Sequence, residues 1–166
     1  MASPPAFAAG AGSGSVSLVA LNTAVTENFD TLASSGTSST LPTGWYFDET
    51  GTSASNNGLY TAGIGSSTTG DTYSFGATAA ADRAFGGLLS GTLTPLNGAS
   101  FTNNTGALVT ALDVAYTGEQ WRLGAIDRGA DRIDFQYSLD ATSLTTGTWT
   151  NADALDFSTP VTTGAG

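Results

Sequence analysis

Ile133-Asp134-Phe135-Gln136-Tyr137-Ser138-Leu139 alternates apolar and polar residues without a break. Successive side chains leave a β-strand on opposite sides, so a period of two is what a strand with one buried face requires. Ile133, Phe135, Tyr137 and Leu139 fall on one side, and Arg132, Asp134, Gln136 and Ser138 on the other. A slip of one residue would turn the apolar row outward, so the pattern predicts a firm register as well as a strand. The same period runs upstream, where Leu108, Leu112, Val114 and Tyr116 share one parity while Val109, Ala111, Asp113 and Ala115 share the other. Thr117-Gly118 then turns the chain into residues 119–124, in which Trp121 and Leu123 alternate with Gln120 and Arg122. An antiparallel hairpin follows from that sequence of strand, turn and strand.

Weaker signals of the same kind extend to both ends. Val16-Ser17-Leu18-Val19-Ala20-Leu21 is a first strand candidate, and residues 25–29 are a short second one. The turn Leu41-Pro42-Thr43-Gly44 delivers the aromatic strand Trp45-Tyr46-Phe47, which runs on into Asp48-Glu49. Leu59-Tyr60, Tyr73-Ser74-Phe75 and residues 84–89 follow, separated by Gly/Ser/Thr stretches whose composition belongs to surface loops. The pair Gly86-Gly87 marks a bulge or a close backbone approach. Trp149 and residues 154–157 supply the last candidates, and residues 141–144 one helical turn. About nine or ten short strands in one chain predict an all-β fold. A single sheet of that size would leave an apolar face in water, so a two-sheet antiparallel β-sandwich is expected, as one domain over 16–166. Residues 1–15 are expected to form a flexible leader or the remnant of a secretory signal, with Ala6-Phe7-Ala8 as its small-residue cleavage motif.

Composition narrows the chemistry. The 166 residues are 40% hydrophobic and only 11% charged, so solubility rests on Ser, Thr and Asn. Fourteen acidic residues against four Arg give a formal charge of −10, a field that repels phosphate backbones and excludes nucleic acid as a direct partner. That field attracts divalent cations. The absence of Cys, His and Lys removes disulfides, thiolate and Ser-His nucleophiles, Cys/His zinc sites and Schiff-base chemistry. No apolar run approaches the ~18 to 20 residues of a bilayer span, so no membrane insertion is expected.

Glu27-Asn28-Phe29-Asp30, Leu41-Pro42-Thr43-Gly44-Trp45, Tyr73-Ser74-Phe75-Gly76, Tyr116-Thr117-Gly118-Glu119-Gln120-Trp121-Arg122 and Asp134-Phe135-Gln136-Tyr137-Ser138 together resemble a jelly-roll accessory module of secreted bacterial proteins. Such modules occur in extracellular nuclease-like, lamin-tail and surface-anchored multidomain proteins, and are similar to adhesin and carbohydrate-binding β-sandwiches. The resemblance covers about residues 25–166. It implies a jelly-roll-like sandwich, export to the cell surface or medium, and a non-catalytic binding or adhesion role beside other domains. It also implies a closing C-terminal strand beyond Gly166, and a structural calcium shared between that strand and a carboxylate near the first strand, for which Glu27 is the matching residue.

Glu119, Gln120 and Arg122 flank Trp121, and Asp134 and Gln136 join them if the two strands share a sheet, which would make a polar patch suited to sugar hydroxyls. The alternative is a plain cross-strand contact of Arg122 with Asp113 or Asp134, worth on the order of 0.2–1 kcal/mol. Trp45 and Trp121 have the parity of core residues, whereas Tyr60 and Trp149 lie in polar surroundings and are expected to be exposed for ligand stacking. Asp127, Asp131 and Asp134 are acidic enough for calcium, with Arg128 and Arg132 interleaved to neutralise them. No spacing selects a catalytic carboxylate pair, so no enzyme activity is expected. Two functions stay open: binding of a glycan or cell-surface polymer, and self-assembly into a surface or filament structure in which chains exchange strands, with residues 16–21 as donor.

Overall fold

A computed structural model describes residues 11–126 and 129–164. Apart from one 3₁₀ turn at Asp153–Leu155, every regular element among them is a strand, so the all-β class holds. The strands gather into five small sheets, and the chain divides into two compact units, Met1–Leu112 with Thr142–Thr145 and Asp113–Ala141 with Thr146–Gly166. Each unit has its own internal contacts.

The first unit contains β1 (Ala11–Gly12), β2 (Val16–Leu18), β3 (Thr37–Ser38), β4 (Trp45–Gly51), β5 (Tyr60–Gly63), β6 (Asp71–Phe75), β7 (Ala84–Leu88), β8 (Leu93–Ala99) and β9 (Phe101–Asn103). β1-β4-β8 form one sheet and β3-β5-β6-β7 another, while β2 pairs with β9. The pairings β5–β6 and β2–β9 are parallel and the rest antiparallel. Alternation explains the core. Trp45, Phe47 and Glu49 leave β4 on one side, and Phe47 meets Tyr60 of β5 and Phe85 of β7 edge-on at centroid distances of 6.1 and 6.4 Å. Leu32 joins Phe47 and Tyr60 as the buried cluster, with Phe29, Leu41 and Phe85 packed around it.

Several elements depart from expectation for local reasons. Residues 25–29 form no strand, because Phe29 sits at φ 62° and the side chains of Glu27 and Asn28 bond the amides of Phe29 and Asp30. Such Asx-like turns compete with a ladder for the same backbone donors. Residues 11–15 are not a free leader: Ala11 pairs with Phe47, and the Tyr46 hydroxyl donates to the Gly14 carbonyl at 2.6 Å. β8 carries no clean strand signal because Pro95 and Gly98 interrupt it, yet it pairs with β4 over its full length. It is an edge strand, where proline is tolerated. Gly86-Gly87 makes no bulge, since the register against β6 runs unbroken. The close-approach half of that expectation holds, as a Cβ on Gly87 would overlap the Pro95 ring of β8.

The second unit contains β10 (Arg132–Ile133), β11 (Gln136–Tyr137), β12 (Thr150–Asn151) and β13 (Phe157–Ser158). β10 pairs with β13 and β11 with β12, both antiparallel. The strand expected over 133–139 is therefore one arm of a two-stranded ribbon whose other arm is interrupted by the 3₁₀ turn. At the gap the Phe135 N–H donates to the Asp156 carboxylate at 2.8 Å and the Phe135 carbonyl accepts from Ala152 at 2.9 Å. Phe135 stacks on Tyr116 at 6.1 Å, but Ile133 and Tyr137 stay about half exposed and Leu139 is 96% exposed. A two-stranded ribbon has no second layer to bury a face against. The alternation at 108–116 and the hairpin through 119–124 form no ladder, and Leu108 is 83% exposed. Residues 141–144 are turn rather than helix.

Candidate functional site

Of the residues singled out for ligand binding, Gln120 and Arg122 line a groove of about 290 Å³ in the second unit, together with Trp121, Leu123, Pro160 and Val161. Its walls are pinned by side chain to backbone bonds. The Gln120 amide donates to the Val161 carbonyl at 2.8 Å and accepts from the Val161 N–H at 2.9 Å, so it replaces a ladder rung between two segments without strand pairing. A third bond runs from the same amide nitrogen to the Arg122 carbonyl at 3.2 Å. The Trp121 indole N–H donates to the Glu119 carboxylate at 2.9 Å, which fixes the ring while leaving it only half buried. Glu119 is thus a support for the ring.

Asp134 and Gln136 lie on the β10–β11 arm and are committed elsewhere. Asp134 pairs with Arg132 at 2.6 Å, and Arg132 also reaches Asp156 at 3.4 Å. Gln136 donates to Asn151 at 2.7 Å across the β11–β12 pair. The segments 119–124 and 132–137, which the patch of five polar residues required to be paired strands, are not paired with each other. Trp149 is half buried and donates its N–H to Thr146 at 2.9 Å. Tyr60 corrects an expectation outright: it is fully buried, its hydroxyl donating to the Thr40 carbonyl and accepting from the Ala33 N–H, both at 2.9 Å. The polar loop around it was misleading because the loop wraps the hydroxyl while the ring enters the core.

Of the calcium candidates, Glu27 caps the Phe29 N–H at 2.9 Å in the first unit. Asp131 belongs to the second unit, where its backbone brackets Thr159, and Asp127 lies outside the described residues. Among the described residues no three acidic side chains form a group able to hold a metal.

A different acidic feature was not anticipated. Glu49 of β4 and Asp71 of β6 are 4% and 7% exposed and stand in side-chain contact. Glu49 Oε1 accepts the Thr72 N–H at 2.9 Å, and Asp71 accepts the same N–H at 3.0 Å and the Thr61 hydroxyl at 2.7 Å. Burial, reinforced by the negative charge of Glu49, raises the Asp71 pKa to about 6. The available signal was parity: Glu49 follows Trp45 and Phe47 on the core side of an aromatic strand, where a carboxylate is out of place. A second depression of about 550 Å³ in the first unit is lined by Ala11, Gly12, Ser13, Ser39, Thr40, Leu41 and Gly58, with no charge or aromatic ring.

No protein-family model, curated protein or solved structure matches the chain. Among the described residues no helix is long and apolar enough to cross a membrane.

Proposed function

We propose that the chain is a non-catalytic binding module of a secreted or surface-attached protein, and that the groove beside Trp121 takes a ring of a neutral glycan or similar polymer. The observation that carries this reading is the half-buried Trp121 ring, held at its N–H by Glu119 and bordered by Arg122, Leu123 and the Pro160-Val161 segment. An indole face suits the C–H face of a sugar, and a wall fixed beforehand loses little entropy on binding. The charge of −10 disfavours acidic polymers. The test is a glycan array followed by titration of the best ligand. Trp121→Ala should weaken binding about tenfold or more, equivalent to about 1.4 kcal/mol, while Trp149→Ala leaves it intact. Equal binding by wild type and Trp121→Ala, with the circular dichroism unchanged, would reject the groove.

Self-assembly is a second reading, favoured by the unladdered backbone of 108–118 and by the exposure of Leu108, Leu112 and Leu139. Unpaired backbone edges with apolar flanks recruit strands from other chains. The donor foreseen at 16–21 is engaged within its own chain through β2 and β9, so the open stretch itself would be the receptor. Sedimentation over a wide concentration range should then show growing species. A monomer at every concentration would remove this reading.

A further inference from the structure

Glu49 and Asp71 are within side-chain hydrogen-bond reach of each other, and when both are ionised neither has a proton to give the other. Glu49 Oε2 is buried and has no hydrogen-bond partner, and the same is true of Thr72 Oγ1 on a residue with no exposed surface. Glu49 leaves β4 on the side of Phe47, which touches Phe85 of the opposite sheet. Thr72 leaves β6 on the side of its cross-strand partner Gly87, where a Cβ would meet Pro95 of β8, in the sheet that carries Glu49. Both side chains therefore project between the β1-β4-β8 and β3-β5-β6-β7 sheets, and the bond from Thr72 N–H to Glu49 joins them there.

No positive side chain is among the groups that shift Asp71. Lys and His are absent from the chain, and the buried Arg83 spends its guanidinium on Ser74 and Ala77. Arg132 bonds Asp134 and Asp156 in the other unit. Two buried carboxylates in contact, without a counter-charge, cost several kcal/mol. Acceptor oxygens without donors, gathered from carboxylates and a hydroxyl, are what hard divalent cations seek.

We propose that Glu49, Asp71 and Thr72 bind one hard divalent cation, calcium being the best match, and that the ion fastens β4 to β6 inside the first unit. The site is separate from Glu27, Asp127 and Asp131, and from the groove beside Trp121. Glu49 Oε2 and Thr72 Oγ1 are the atoms without other duties, and Asp71 supplies the second charge.

The experiment is denaturant unfolding of the full chain at neutral pH, followed through Trp45, in millimolar calcium chloride and in chelator. Calcium should raise the unfolding midpoint of the wild type, with a single site seen by calorimetry. Glu49→Gln should abolish the shift. Because that change touches a buried pair, Thr72→Val is the second arm: it keeps the shape, removes a hydroxyl that bonds nothing, and should fold normally while weakening calcium binding about tenfold or more. A wild type indifferent to calcium would overturn the proposal. So would a shift of the same size in Thr72→Val, which would place the ion on surface carboxylates.

Discussion

Tyr60 shows how much one hydroxyl can organise. Its ring fills the centre of the first unit while its oxygen holds two turns of the 31–41 loop, through the Ala33 N–H and the Thr40 carbonyl. Tyr60→Phe keeps the packing and orphans both backbone groups, so it should cost about 1–3 kcal/mol, read as a lowered urea midpoint. Asp71 sets a pH dependence of the ion-free protein. With its pKa at about 6 in the fold against 3.8 in a model peptide, the folded state keeps a proton that the unfolded chain releases. Stability from this group is complete below the lower value, falls as pH rises between the two, and levels off above the upper one. The loss is on the order of 2–3 kcal/mol. In chelator, wild-type stability should fall more steeply from pH 4 to pH 7 than that of Asp71→Asn. Parallel profiles would show that Asp71 titrates normally.

At the scale of elements, the two long ladders behave differently. β4 and β8 pair over seven residues, from Trp45 opposite Ala99 to Gly51 opposite Leu93, and side chains of β4 are buried by the opposing sheet. The 131–137 arm has the cleaner alternation but only a broken partner, and Asp156 fills the gap by accepting from Phe135 and receiving Arg132. Asp156→Ala should open the ribbon at its middle. Hydrogen exchange at the Phe135 amide should quicken at least tenfold, while the β4 amides keep their protection. Unchanged exchange at Phe135 would mean that the neighbouring pairs suffice. Alternation at Tyr73-Ser74-Phe75 marked β6, whose residues are buried on both sides. It misjudged Ile133, Tyr137 and Leu139 because alternation reports which residues share a side, and says nothing of whether anything lies against that side.

At the scale of the molecule, the buried apolar residues among those described, Leu32, Tyr46, Phe47, Tyr60, Tyr73 and Leu93, all belong to the first unit. The second unit relies on half-buried aromatics such as Phe135 and on backbone bonds like those of Gln120. Burial of apolar surface is the main stabilising force, so the second unit should unfold first. Trp45 reports on the first unit, Trp121 and Trp149 on the second. Single-tryptophan variants should therefore give two urea transitions, the lower one at Trp121. Coincident transitions would show that the units unfold as one.

The sequence by itself determined the all-β class, the aromatic strand at Trp45-Tyr46-Phe47, and the absence of thiol, imidazole and amine chemistry, because those follow from local period and residue type. It also put Gln120 and Arg122 beside Trp121, since residues adjacent in the chain need no fold to be close. Only the tertiary structure decided that Tyr60 is core, that Pro95 lies in a paired strand, that Glu49 meets Asp71, and that Ile133, Tyr137 and Leu139 stay in water. Each of these depends on what a distant segment presses against, and one-dimensional periodicity carries no record of that partner.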